Sequence, residues 1–573
     1  MKCKLSILTS IILCTVAARA EISFLGGASL ANGGEIVSYD SVSGKLLTTD
    51  SLSATSHAVQ MYSISASGAL SAGISANLTT VFGGAANISS ISSVLADSRG
   101  FGVATVIPLA NGASDFGRIA FFSLADGSIL KTLDVGYHPD SVTITPDGTK
   151  LLIANEAEYG STNNAVPEAV NRNGSVSVVD ISSVSDVSHL AALSGNNVAT
   201  YDFTAGNLDS GVSISGLRNA RLDTAAVKSP NAADVEPEYI TASNDKAFIT
   251  LQENNAIATL DLTGAKAGKY TAIHTLGKIE QVIDASDRDG AGNAKLVSRD
   301  DTVMGLPMPD TIAKFTRSGT TYLVTANEGD ARPDDGDIFR ASAQGTVTNG
   351  SAAPDIDASI DPIVNNTGIG RLNLLKDQGD IGLDGDIDEP TMMGTRSFSI
   401  WNAASGNLVF DSDSMIEAYV IANDPTTHNM NDGLVSKYDE RSDDKGPEPE
   451  ALAFGSIDGR DFVFLGTERQ NGIFQFDITD LNNVFVAGYF NSATSSADSG
   501  GAFISPESIL FVPAANNPTG NNLLVVGYEG TGSNGSVATF QVNAVPEPGT
   551  WALLGLGAGA FGVRSLLRRK GRA

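Results

Sequence analysis

Acidic residues recur at regular positions along this sequence, and they are the residues that could support chemistry. At least five times a proline is followed by Asp or Glu and an apolar segment, and a glutamate ends the next apolar segment, 16 to 23 residues after the proline. Carboxylates gathered in this way either bind a divalent cation or join neighbouring parts of the chain through ion pairs, and the pattern leaves both roles open. The carboxylates after the prolines are Asp140, Glu238, Asp310, Glu450 and Glu507, and the later glutamates are Glu156, Glu253, Glu328, Glu468 and Glu529.

A second acidic pattern interrupts the repeat between residues 330 and 395. In its sequence GLDGDIDE, carboxylates alternate with other residues beside a glycine, as in loops that wrap Ca²⁺ with oxygen ligands. The loop is not an EF-hand, because it lacks the glycine at the sixth position and the glutamate at the twelfth. We predict Ca²⁺ as a cofactor, with a merely solvated acidic loop as the alternative for this motif. The candidate ligands are Glu328, Asp330, Asp384, Asp386, Asp388, Glu389, Glu450 and Glu468.

A third acidic stretch, RSDDKGPEPE at 441–450, runs directly into one copy of the repeat. We therefore expect Arg441 and Glu448 to lie beside the repeated carboxylates, as we do Arg332 and Arg469. A carboxylate-bound metal with nearby arginines could hydrolyse a phosphoester, since the metal polarises the phosphate and arginine stabilises charge. The same residues would serve equally as a calcium-stabilised adhesion surface. The sequence has no G-x-S-x-G or H-E-x-x-H motif and its five histidines are scattered singly, so enzymatic activity stays open.

Short strands joined by turns must position these side chains. Three or four apolar segments per unit predict an all-β fold, a β-propeller of about seven blades with a loop insertion around 330–395; a pair of β-sandwiches is the alternative. The last unit lacks a fourth strand, which ISFLGGASL at 22–30 could supply. Because the proline begins one strand and the glutamate ends the next, antiparallel strand, both fall on the same rim of the ring.

The two ends of the sequence read as processing segments. Residues 1–20 have a basic start, an apolar run and an Ala-Arg-Ala ending, which predicts a secretory signal peptide. Residues 545–573 contain Pro-Glu-Pro, a short apolar stretch and an arginine cluster, and they resemble the PEP-CTERM sorting signal. That resemblance implies an exosortase-type sorting protease as a partner and a C-terminal membrane helix before processing; a plain membrane anchor is the alternative.

Composition limits what the domain between the ends, residues 21–544, can do. Without the eight basic residues and one glutamate of the two ends, 28 Lys+Arg face 64 Asp+Glu. A domain this acidic repels nucleic acid and anionic lipid. Both cysteines lie in the signal, so the domain has no disulfide. We expect an exported protein at the cell surface or in the extracellular matrix, where a surface polymer is a possible partner.

The acidic motifs also carry a resemblance that extends over almost the whole domain. NEGDARP at 327–333, DGDIDE at 384–389 with RSFSIW at 396–401, RSDDKGPEPEAL at 441–452 and GTERQNGIFQFDI at 466–478 resemble the choice-of-anchor I family. The resemblance spans about residues 22–542. It implies a secreted, propeller-like bacterial protein with a surface anchor. Members are compared with a mesenchyme-specific cell surface glycoprotein and are sometimes labelled alkaline-phosphatase-like, which is weak evidence of activity.

Overall fold

A computed structural model describes most of the domain between the two processing segments. It covers residues 20–31, 33–53, 56–109, 116–157, 172–218, 231–288, 303–331, 337–348, 351–493, 503–531 and 534–544. The predicted sorting tail, almost all of the predicted signal peptide, and Arg332 lie outside these residues. Within them, no helix is long and apolar enough to cross a membrane.

The first strand of the chain joins the last sheet of the fold, and four regular sheets follow it in sequence. The first strand, β1, spans Ile22–Ser29. Each of the next four sheets, called blades 1 to 4, consists of four consecutive antiparallel strands. Blade 1 contains β2 (Val37–Asp40), β3 (Lys45–Ser53), β4 (Ser56–Ile64) and β5 (Leu70–Asn77); blade 2 contains β6 (Ile88–Asp97), β7 (Phe101–Pro108), β8 (Arg118–Ser123) and β9 (Ile129–Asp134); blade 3 contains β10 (Pro139–Ile144), β11 (Lys150–Asn155), β12 (Ser175–Asp180) and β13 (Val198–Asp202); blade 4 contains β14 (Ile240–Ala242), β15 (Lys246–Leu251), β16 (Ala256–Asp261) and β17 (Lys269–Thr275).

Blade 5 is interrupted by extra elements that build a separate layer. Its sheet has the order β20-β21-β29-β30, and the added strands pair as β18-β19-β28, β22-β26, β23-β24 and β25-β27. The elements are β18 (Ile279–Gln281), β19 (Val303–Leu306), β20 (Ile312–Arg317), β21 (Thr320–Asn327), β22 (Ile338–Arg340), β23 (Val347–Thr348), β24 (Ser351–Ala352), β25 (Asp355–Ile356), β26 (Asn373–Leu375), β27 (Asp386–Ile387), β28 (Thr391–Met393), β29 (Ser397–Asn402), β30 (Leu408–Asp411) and the helix α1 (Met415–Asn423).

Two further blades complete a ring of seven four-stranded sheets in the described part of the chain. Blade 7 takes β1 as its fourth strand, with Ile22 opposite Val542, which confirms that the N-terminal segment closes the ring. Blade 6 contains β31 (Pro449–Ile457), β32 (Arg460–Thr467), β33 (Gly472–Asp477) and β34 (Phe485–Asn491), and blade 7 contains β35 (Pro506–Val512), β36 (Leu523–Thr531), β37 (Asn534–Val542) and β1.

The ring is held together by a hydrophobic cluster at each of its seven blade-to-blade contacts. Phe398 of blade 5 meets Phe476 of blade 6 at 4.8 Å between ring centroids, and Phe464 of blade 6 stacks on Phe511 of blade 7 at 5.3 Å. A blade is covered by neighbours on both faces, and strand β7 is therefore buried along its whole length. The predicted seven-bladed β-propeller is confirmed.

The extra elements form a cap, defined here as residues 279–288, 303–308, 337–348, 351–396 and 412–448. These segments connect strands at the face of the ring where each first strand begins and each second strand ends, which we call the upper face. The cap has its own core, which includes Ile283, Phe339 and Leu374. The predicted loop insertion is thus one part of a larger folded layer.

Candidate functional site

The first strand of each blade lies nearest the axis, and its upper end carries a carboxylate in six of the seven blades. These first strands contact one another in succession around the ring. We call the six carboxylates the axial ring. Five of them are the predicted residues Asp140, Glu238, Asp310, Glu450 and Glu507, and the sixth is Glu35.

Serine hydroxyls of the first strands fix the start of the next blade. Ser92 donates to the carbonyl of Pro139 at 2.5 Å, and Ser141 donates to the carbonyl of Glu238 at 2.6 Å. Ser508 makes the same bond to the carbonyl of Glu35. The backbone that presents the axial carboxylates is therefore hydrogen-bonded from blade to blade.

The axial carboxyl groups share one electrostatic environment. Burial raises the pKa of Glu35 to about 7, with Glu529 and Asp140 adding to the effect. Burial, followed by the repulsion of nearby carboxylates, also raises the pKa of Glu238, Asp310, Glu450 and Glu507 well above the usual range. A shared negative potential of this kind is relieved by a proton or by a bound cation.

The predicted second-strand glutamates lie beside the axial ring. Oxygens of Asp140, Glu156 and Glu238 lie within 4.8 Å of one another, as do oxygens of Asp310, Glu328 and Glu450. Glu253 contributes to the raised pKa of Glu238, and Glu529 to that of Glu35. The structure thus brings the repeated carboxylates of the two strand positions together at the upper end of the propeller axis, called the channel mouth below, as the sequence predicted.

A group of basic side chains occupies one arc of this mouth, between blades 5 and 6. Lys445 contacts Glu328 at 2.5 Å and Glu448 at 3.0 Å. Arg441 donates through Nε to Glu448 at 2.7 Å, and Arg469 pairs with Glu468 at 2.9 Å. The name basic latch is used here for the three basic side chains together with the glutamates that they contact: Arg441, Lys445, Arg469, Glu328, Glu448 and Glu468.

The basic side chains of the latch lower the pKa of one carboxyl that they contact. Burial tends to raise the pKa of Glu448, but Lys445, Arg441 and Arg469 lower it. Asp330 lies close by, where burial raises its pKa to about 6 despite the opposing effect of Lys445. Arg441 and Glu448 therefore lie at the predicted rim. Lys445 belongs to the same acidic stretch, but the sequence did not predict a role for it.

The acidic loop of the cap forms a group of its own. Asp386 and Asp388 meet Asp357 with oxygens within 4.8 Å, and Glu389 pairs with Lys278 at 2.9 Å. The Asp388 carboxylate accepts hydrogen bonds from two backbone amides of the same loop at 2.8 Å, while Asp384 is exposed. The sequence predicted Asp384, Asp386, Asp388 and Glu389 as calcium ligands alongside the repeated glutamates, whereas Asp357, which follows no recognisable spacing, was missed.

The cap also contains a buried polar cluster that sequence reasoning missed. Arg396 pairs with Glu417 at 3.0 Å, and His428 Nε2 meets Asp284 at 3.0 Å, all four side chains being almost fully buried. Asp284, His428 and Asp439 form another group of converging ligand atoms. These residues come from separate segments, so no local spacing connects them.

A seven-bladed β-propeller with a carboxylate-lined channel mouth is the class of protein that the fold and site define. The chain belongs to the choice-of-anchor I domain family, whose sequence pattern matches residues 35–481. Residues 544–570 match the PEP-CTERM protein-sorting motif. The protein is therefore exported and surface-associated, and its motif implies processing by an exosortase-type system.

Individual relatives are more distant. Gigasin-3a of Magallana gigas is 29% identical over 194 residues, which is 31% of this chain and 66% of that protein. The chain thus spans just under two thirds of the length of that relative. Among solved structures, Kuenenia stuttgartiensis hydrazine synthase aligns over 90% of this chain and 97% of its own, with a TM-score of 0.42 and 10% identity. The C-terminal WD40 domain of Sif2 aligns over 92% and 99%, with a TM-score of 0.37 and 9% identity.

Proposed function

We propose that this protein is a surface or extracellular-matrix protein whose propeller is a binding domain stabilised by Ca²⁺ at the channel mouth. The observation that supports the metal is the convergence of Asp310, Glu328 and Glu450, whose oxygens lie within 4.8 Å of one another. In the described part of the chain, the buried Oε2 atom of Glu450 accepts no hydrogen bond. A buried carboxylate oxygen without a donor is costly unless a cation binds it.

The donor set favours a hard cation. Asp310, Glu328 and Glu450 offer only oxygen ligands, which suit Ca²⁺. Glu328 is already held from two sides, by Lys445 through Oε1 and by Gln252 through Oε2 at 3.1 Å. These contacts fix the position of Glu328 beside Asp310 and Glu450, and each of its oxygens keeps one lone pair for a cation.

Thermal unfolding of the purified protein in EGTA and in CaCl₂ tests the proposal. Saturating Ca²⁺ should stabilise the protein by about 3 kcal/mol when its concentration is about 100 times Kd. Glu450→Gln should remove most of this gain, yet leave the metal-free protein as stable or more stable because one like charge is lost. Glu440→Gln, at an exposed cap position, is the matched control and should keep the full gain.

Two results would contradict the calcium role. One is an unfolding midpoint that does not move with Ca²⁺; the other is an equal shift in the wild type and in Glu450→Gln. The second result would place the cation elsewhere in the protein.

A metal-dependent phosphoesterase is the less well supported function. Such an enzyme needs arginines that face the phosphate, whereas Arg441 is engaged by Glu448 and Arg469 by Glu468. Hydrolysis of a chromogenic phosphate ester that requires Ca²⁺ and disappears in Glu468→Gln would favour it over a binding role.

A further inference from the structure

A pocket on the upper face, between blades 2 and 3, has a composition unlike the acidic channel mouth. It encloses about 300 Å³, at the lower end of the range for small-molecule sites. Its lining includes two aromatic rings and a row of polar side chains. The lining residues used below are Phe116, Tyr137, Arg172, Asn173, Thr200 and Asp202.

One wall of the pocket is an aromatic stack. Phe116 lies on Tyr137 with ring centroids 4.6 Å apart and planes 24° from parallel. The guanidinium carbon of Arg172 lies 4.3 Å from the centroid of the Tyr137 ring. Phe116 nevertheless remains 46% exposed, so the stack presents a flat apolar surface to the pocket.

The other wall offers hydrogen-bonding groups that are already held in place. The Asp202 carboxylate accepts from Asn173 at 2.9 Å, from Thr204 Oγ1 at 2.6 Å and from Asn207 at 2.7 Å. Thr200 shares a 2.9 Å hydrogen bond with Ser177. Burial tends to raise the pKa of Asp202, but its hydrogen bonds, led by Thr204 and Asn173, lower it. Among the described residues, the Oδ2 atom of Asp202 accepts only the hydrogen bond from Asn173, so it can still accept one from a ligand hydroxyl group, and its negative charge repels anions.

We propose that this pocket binds a neutral sugar ring of a glycan. A pyranose has an apolar face of C–H groups, which suits the surface of Phe116, and an edge of hydroxyls, which suits Asp202, Asn173 and Thr200. This inference goes beyond the calcium role and does not rest on it, because the pocket shares no residue with the Asp310–Glu328–Glu450 group.

Saturation-transfer NMR and calorimetry with the purified full-length protein test this inference. The probes are neutral trisaccharides of glucose, galactose, mannose and N-acetylglucosamine, with trigalacturonate as an acidic probe. At least one neutral trisaccharide should bind with a Kd of about 1 mM or tighter, and trigalacturonate should bind more weakly. Phe116→Ala should weaken binding about tenfold, because it removes the stacking surface.

The chain offers a matched control on the opposite face of the ring. Phe485 is 37% exposed and lies under Arg460, at 5.9 Å from its guanidinium carbon, and it begins the fourth strand of blade 6 opposite Asp477. Phe485→Ala should leave sugar binding unchanged. Asp202→Asn should weaken the neutral sugar and reduce the discrimination against trigalacturonate.

The sugar site is wrong if none of the neutral trisaccharides binds the folded protein, or if Phe116→Ala and Phe485→Ala bind equally well. Repeating the titration in EGTA, below the unfolding midpoint, separates the two proposals. Sugar binding that persists in EGTA supports the sugar site whether or not the channel mouth holds calcium. Sugar binding that is lost both in EGTA and in the Phe485→Ala variant would overturn the sugar site.

Discussion

Glu450 of the axial ring and Glu448 of the basic latch are buried carboxylates at the same channel mouth, yet they hold their protons differently. Burial and mutual repulsion raise the pKa of Glu450, while Lys445 and two arginines lower that of Glu448 despite its burial. The two glutamates are separated by only one residue, Pro449. Burial alone therefore does not set the charge of a carboxyl group here, because three cations act on Glu448. One cation is not enough for this, since burial keeps the pKa of Glu468 raised beside Arg469.

Removing Lys445 from the latch should have the largest effect. Lys445→Met leaves Glu328 and Glu448 buried without their shared partner, and we expect it to lower the free energy of unfolding by about 3–5 kcal/mol. Lys437→Met is the control, because Lys437 pairs with Asp432 where both side chains are about a third exposed, and it should cost less than about 1 kcal/mol. Chemical denaturation of both variants at pH 7 makes the comparison. Equal losses would show that the latch is an ordinary surface ion pair.

The pH dependence of stability should separate the axial ring from Glu448. Burial raises the pKa of Glu35 from its usual 4.5 to about 7, so between these values the folded protein binds more protons than the unfolded chain. In EGTA, the axial contribution should thus rise as pH falls from about 7 toward about 5, and be lost as pH rises through 7. The lowered pKa of Glu448 has the opposite sign, and its contribution disappears only below 4.5.

Unfolding midpoints measured in EGTA across this range check the sign. Glu35→Gln should flatten part of the rise, and added Ca²⁺ should stabilise less at about pH 5 than at about pH 7, because protons compete for the same oxygens. A metal-free protein that becomes steadily less stable from pH 7 to pH 5 would contradict the raised pKa values of the axial ring.

The smallest effect is expected at the acidic loop of the cap, which extends the comparison to a half-buried set of carboxylates. Asp388→Asn keeps an oxygen that accepts from the amides of Ile381 and Gly382, and it should change the free energy of unfolding by less than about 0.5 kcal/mol. The calcium-induced shift in the unfolding midpoint should also remain. Loss of that shift in Asp388→Asn, with Glu450→Gln unaffected, would move the calcium site from the channel mouth to the cap.

Much of the fold was predictable because each blade repeats the same local pattern. Alternating apolar and polar residues at 175–181, 256–262, 472–478 and 536–542 mark the third strands β12, β16, β33 and β37. The segment 396–410 supplies β29 and β30 of blade 5 even though the cap separates it from β21. The alternation of apolar and polar residues identifies the strands of a blade regardless of what is inserted in its loops.

Glu35 was missed because blade 1 lacks the proline that marks the other copies. Gly34 stands in that place, and a Cβ there would come within 2.9 Å of the backbone oxygen of Ser536. Because blade 7 approaches so closely where the ring closes, a glycine replaces the proline that would have marked this copy of the repeat. Lys445 and the cap were missed for a different reason: their contacts join segments far apart in sequence, which local periodicity does not encode.

Closure by β1 has a mechanical consequence for a protein that carries a sorting motif just after its last strand. Strand β37 is hydrogen-bonded to β36 on one side and to β1 on the other. A tether attached beyond Val542 pulls along this strand, so both ladders bear the load in shear and their bonds must yield together. The first and last strands of the domain thus pair in one blade, and a force on the C-terminal strand is resisted by its hydrogen bonds to the N-terminal strand.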